Sequence, residues 1–134
     1  MGVTTHTVSL TIPHDADLLP LFSMILGGIA LRRNLSFETL DDLQLAVDSV
    51  LVDEKPGGGD ISMSVELREE GLDIRLSPLT QQDLRDTLVQ GAVPAGAADR
   101  CLDVCLILHS LVDDYTVHDL EDGSYTVVLR KLTG

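Results

Sequence analysis

The alternation between residues 61 and 76 constrains this chain more than any other feature. Ile61, Met63, Val65 and Leu67 interleave with Ser62, Ser64 and Glu66; Leu72, Ile74 and Leu76 interleave with Asp73 and Arg75. A period of two puts each apolar set on one side of a strand. The two runs therefore read as neighbouring strands with one covered and one open face, joined by a tight turn at Glu70-Gly71. The covering layer must come from the rest of the chain.

Helical patterns supply it. Residues 3–12, VTTHTVSLTI, are rich in Val, Thr and Ile and read as a strand stopped by Pro13. HDAD offers an N-cap and first-turn carboxylates. From Asp15 to Asn34 the spacing predicts a helix with Leu18, Phe22, Ile25 and Ile29 in one stripe and Pro20 in its early turns. Ser36 and Thr39 form half a capping box for a second helix, which carries Leu40, Leu43, Val47 and Val50 or Leu51 and ends near Asp53. EKPGGGD is a loop. After Pro78 a short helix runs to Gly91, AVPAGAA links it onward, and DRCLDVCLILHSLVDD forms a third long helix. The end, YTVHDLEDGSYTVVLRKL, is a hairpin turning at Asp122-Gly123. The order βααββααββ implies one α+β domain over residues 1–134: a two-layer sandwich with helices on one face of a mostly antiparallel sheet.

Charge narrows the partners. The 134 residues hold 22 acidic and 9 basic side chains, a net charge of −13, with 44% hydrophobic residues. That is too apolar for a disordered acidic chain. A general affinity for nucleic acid or an anionic membrane is excluded, because both reward clustered cations. No run reaches 18 apolar residues, and the first ten lack the pattern of a signal peptide. Cys101 and Cys105, four apart on a predicted helix, frame a disulfide poorly, so a cytoplasmic setting is expected.

Several constellations resolve into structural readings. Cys101, Cys105, His109 and Asp113 recur every four residues, but positions eight apart lie about 12 Å apart along a helix, too far to share one ion. No metal site is expected. Gly57-Gly58-Gly59-Asp60 leads into a strand and lacks the Lys-Ser/Thr of a phosphate loop. Asp41 and Asp42 suit the first turn of the second helix. His6, His14 and His118 fall near element ends with no nucleophile placed beside them.

The element order, with HTVSLTIPHDADLLPLFSMILGGIALRRNLSFETLDDLQLAVDSV and SLVDDYTVHDLEDGSYTVVLRKL, resembles the anti-sigma-factor serine kinases (RsbW-like). These are small members of the GHKL, or histidine-kinase-like, ATPase fold (the Bergerat type). In that family a Glu on the second helix polarises the nucleophile and an Asn four residues on chelates Mg²⁺; the matching positions here are Ser49 and Asp53. The adenine-binding Asp and the Gly two residues later match Pro78 and Thr80, and the glycine-rich lid matches Cys101–Cys105, which has no glycine. Gly91 and Gly96 are the nearest glycines to a shifted lid. A serine hydroxyl is no base near neutral pH, and proline can neither accept through its side chain nor donate from its backbone. The resemblance therefore implies a degenerate member with no cofactor expected. It would act as a non-catalytic regulator that switches between protein partners, a sigma factor or a STAS-type antagonist, itself a homodimer. The alternative is an active ATP- and Mg²⁺-dependent serine kinase with a displaced pocket. Partner binding by the first helix would use Leu18, Leu19, Phe22 and Met24, beside the sheet edges; the same four residues equally suit core or homodimer contacts.

Overall fold

The computed structural model describes residues 6–51, 59–90 and 106–133. It contains β1 (His6–Pro13), α1 (Pro20–Arg33), α2 (Phe37–Leu51), β2 (Asp60–Leu67), β3 (Gly71–Leu79), α3 (Gln82–Gln90), β4 (Asp114–Asp119) and β5 (Tyr125–Leu132). Residues 106–111 are also helical. The strands form one sheet in the order β1-β2-β3-β5-β4, with every neighbouring pair antiparallel. Helices cover one face, giving the two-layer α+β sandwich that the alternation demanded.

The core sits between the layers. On the sheet side it takes Ile61, Met63 and Val65 of β2, Ile74 and Leu76 of β3, and Val127 and Leu129 of β5. On the helix side it takes Phe22, Leu26, Leu43, Val47 and Val50. Register explains the match: Leu10 pairs with Met63, Met63 with Leu76, and Leu76 with Val127, so apolar side chains line up across four strands. The opposite face is polar. One row runs Ser9, Ser64, Arg75, Val128, Thr116, and hydroxyls bond across it, Ser9 with Ser64 at 2.9 Å and Thr11 with Ser62 at 2.6 Å.

Local chemistry sets the ends of the elements, with four departures from the sequence reading. α1 begins at Pro20, not Asp15, and Pro there forfeits an N–H that no helix would use. Asp15 instead organises the turn before it, its carboxylate accepting from Asp17 N–H at 2.9 Å and its carbonyl from Leu18 and Leu19. The buried stripe of α1 is Phe22, Leu26, Ile29 and Ala30, one residue from the expected phase at Ile25. At the other end Asn34 adopts the left-handed conformation (φ 55°) and donates to the Ala30 carbonyl. Ser36 Oγ then accepts from Thr39 N–H at 3.0 Å, the single arm of the capping box, and starts α2.

Because α2 starts at Phe37, Glu38 occupies its first turn and Asp41 and Asp42 fall in the second. Asp42 pairs instead with Lys131 Nζ at 3.2 Å, and that ammonium also donates to the Leu111 carbonyl at 2.6 Å. The fourth departure is β3, which continues through Pro78 to Leu79. Pairing with β5 shifts register between Leu76 and Leu79, and the proline, with no N–H to give, sits inside that irregularity. At the far hairpin Gly123 takes φ +90° beside Asp122, at the turn the sequence marked.

Candidate functional site

Of the positions matched to nucleotide chemistry, Ser49, Pro78 and Thr80 fall among the described residues. Ser49 lies on α2, and its hydroxyl donates to the Leu45 carbonyl one turn earlier at 2.7 Å. Pro78 is exposed within β3, and Thr80 is exposed just beyond it. The segment after β3 is strapped to the last hairpin: Tyr125 donates its hydroxyl to the Gln81 carbonyl at 2.8 Å, and Gln82 Nε2 donates to the Gly123 carbonyl at 3.0 Å. Asp53, Gly91, Gly96 and the Cys101–Cys105 stretch lie outside the described residues.

The titratable residues singled out from the sequence are dispersed. His6 and His118 stand on β1 and β4, the two outer strands, four strand spacings of about 4.8 Å apart and toward opposite ends of the sheet. His118 Nε2 hydrogen-bonds Thr116 Oγ1 at 3.1 Å. His14 follows β1, and its Nε2 is buried without a hydrogen-bond partner. His109 packs its ring against Tyr115, with centroids 5.4 Å apart, and Asp113 accepts the Leu132 N–H at 2.6 Å. Among the described residues no three His, Cys, Asp or Glu side chains come together to hold a metal, and no helix is long and apolar enough to cross a membrane.

The surface feature that stands out is the outer side of the α1–α2 hairpin. The helices run back to back, joined by Gln44 Nε2 donating to the Ser23 carbonyl at 3.0 Å. α1 is apolar on nearly every side, yet it has only one side to bury. The remainder faces outward: Met24 is 69% exposed and Leu31 is 81% exposed, seven residues apart and so on one stripe. Between them Gly27 and Gly28 have open space where a Cβ would stand. Phe37, 87% exposed, begins α2 beside them. Gly27, Ala30, Leu31, Leu35, Ser36, Phe37 and Leu40 line an apolar groove of about 170 Å³ where the helices meet.

The groove has an acidic margin. Phe37, Asp41, Leu45 and Asp48 follow one another at helical spacing on the outer stripe of α2, apolar and acidic in alternation, and all are exposed. α2 carries four carboxylates and no cation, and only Asp42 has a basic partner among the described residues. Partial burial pushes the Asp48 carboxyl up from its ordinary 3.8.

Of the four residues expected to bind a partner, Met24 alone is well exposed. Leu18 and Leu19 are half-buried against the core, and Phe22, at 1% exposure, is a core residue whose side chain no partner reaches. Leu31, Phe37 and Leu45 were missed. Their signal was an excess: α1 holds more large apolar residues than one stripe requires, and a phenylalanine follows a helix cap.

No family model matches the chain, and no curated protein matches it. Among solved structures, a chain of the crystal structure of the SiaB-SiaC complex from Pseudomonas aeruginosa is similar, with a TM-score of 0.54 and 12% identity. The match covers 93% of this chain and 89% of that one. At that identity the likeness is one of fold.

Proposed function

We propose that this chain is a non-catalytic regulatory domain that works by binding another protein through the outer side of its α1–α2 hairpin. The carrying observation is the exposed apolar strip of Met24, Leu31 and Phe37 around the two glycines, contiguous with a groove and unexplained by the fold's own packing. In support, the fold neighbour is a chain in a two-protein complex. The resemblance to anti-sigma-factor kinases adds the finer reading: a histidine-kinase-like ATPase scaffold whose partner is a sigma factor or a STAS-type antagonist. On that scaffold Ser49 has given its hydroxyl to its own helix, and Pro78 has neither a side-chain acceptor nor a backbone N–H to offer an adenine. The scaffold then serves recognition and the nucleotide chemistry is lost.

Titration with Mg²⁺-ATP by calorimetry tests the catalytic half of this reading. No saturable binding is expected in the micromolar range; a saturating isotherm there would favour the active-kinase alternative. The surface half is tested by Leu31→Asp combined with Met24→Asp. The double variant should keep the parent's circular dichroism and lose at least about tenfold in affinity for a captured partner, since two central apolar contacts are replaced by charges.

A further inference from the structure

The apolar strip of Met24, Leu31 and Phe37 has flanks of opposite sign. Toward α2 it meets Asp41 and Asp48, both exposed and neither with a basic partner among the described residues. Away from α2 it meets Arg32, exposed and about 100° further round α1 than Leu31. Ala30, which lines the groove, lies about 100° round in the other direction, and that fixes which flank is which.

The spacing is regular on both helices. Met24 and Leu31 are seven residues apart on α1, and Asp41 and Asp48 seven apart on α2, each pair about 10.5 Å along its axis. A helix returns to nearly the same face after two turns. A third helix laid over the hairpin can therefore offer one row to the apolar pair and a neighbouring row to the carboxylates. The glycines leave it room, since a Cβ built at Gly27 or Gly28 meets nothing within 4 Å. An extended segment would find no ladder to join here, because both helices bond their own backbones; a helix arrives with its backbone already paired.

We propose that the α1–α2 surface takes a basic amphipathic helix of another protein, its large apolar side chains on Met24, Leu31 and Phe37 and its Lys or Arg, two turns apart, on Asp41 and Asp48. This rests on the reading that the outer side of the hairpin is the binding surface, and it names the chemistry of what that surface takes. Two other occupants fit less well. A lipid surface rewards cations beside an apolar strip, and here the margin is acidic. A second copy brings no matching helix: α1 has only the adjacent Arg32 and Arg33 at its end, α2 has no cation, and α3 has Arg85 alone, already bonded to Asp119 at 2.6 Å.

A net charge of −13 attracts any cationic peptide, so the test must separate pattern from charge. Three synthetic peptides of about 18 residues, about 27 Å of helix, do this. One arranges Leu and Lys as an amphipathic helix with the lysines two turns apart on one flank; the second scrambles the same residues; the third replaces the lysines with glutamates. In about 150 mM NaCl, where only nearby charges count, the patterned basic peptide should bind saturably and about tenfold or more tighter than the other two. Its amide NMR shifts should fall on α1 and α2. Asp41→Lys with Asp48→Lys should invert the preference toward the acidic peptide. Asp41→Asn with Asp48→Asn, a milder change at the same exposed positions, should narrow the gap about threefold or more. Equal binding of patterned and scrambled peptides, shifts away from the hairpin, or an unchanged preference in both double variants overturns the proposal. So does a doubled mass that Leu31→Asp abolishes, or binding to phosphatidylglycerol vesicles through the same residue, which would give the surface to a second copy or to a bilayer. Should the proposal fall while Met24→Asp with Leu31→Asp still loses the captured partner, the hairpin remains the binding surface for an occupant of other chemistry. Should that variant capture its partner normally, the surface reading falls as well.

Discussion

Gly71 shows how one position can be fixed by its neighbours rather than by its own conformation. It opens β3 directly opposite Leu132, and a Cβ built there would lie 2.2 Å from the Lys131 carbonyl oxygen and 2.9 Å from the Leu132 Cα. Those atoms are backbone and cannot swing aside. Gly71→Ala should therefore push β3 from β5 and cost about 2 kcal/mol or more, measured as a lowered urea midpoint with an unchanged slope. Gly27 offers the contrast, with nothing within 4 Å of its missing Cβ. From sequence alone Gly71 read only as part of a tight turn. The difference lies in how closely two distant segments approach, which no local pattern encodes.

Among the elements, legibility followed periodicity. β2 and β3 were readable because their alternation had one solution, and α2 because its apolar residues form one stripe beside Glu38, Asp41 and Asp48. α1 was legible as a helix but not in its phase. With Met24, Ile25, Leu26, Ile29 and Leu31 spread around it, the sequence cannot say which side turns inward, and so Phe22 was offered both to the buried stripe and to a partner, and Leu31 to neither. Pro78 misled for a different reason: it reads as a stop, but a register shift lets the strand pass it. The Arg85–Asp119 clamp between α3 and β4 was invisible, since 34 residues separate its partners. It makes a pH prediction. The hydrogen bonds from Arg85 hold the Asp119 carboxyl below its ordinary 3.8, and Asp119 in turn pushes the guanidinium up. A lowered folded value means the unfolded chain binds the proton more readily. The clamp's contribution is complete above 3.8 and fades as pH falls through the lowered value. Asp119→Asn should melt below the parent at pH 7, and the two melting temperatures should converge in acid. A gap that persists at the lowest pH would mean the residue acts by shape rather than by charge.

Across the whole molecule the dominant electrostatic term is repulsion. Local pairs such as Lys131–Asp42 and Arg85–Asp119 hold elements together, but 22 carboxylates against 9 cations leave most acidic groups with only other acids to feel at long range. The two effects respond to salt with opposite sign. Screening weakens exposed ion pairs, each worth little, and also relieves the summed repulsion of an excess of thirteen charges. Raising NaCl from about 10 mM to about 150 mM shortens the screening length from about 30 Å to about 8 Å, below the span of a domain this size. The repulsive term should win, and the melting temperature, followed by circular dichroism at low protein concentration, should rise with salt. Potassium chloride should act alike, because screening depends on ionic strength and not on the particular cation. A melting temperature that fell with salt would show that the few cations sit where they count for more than the acidic surplus.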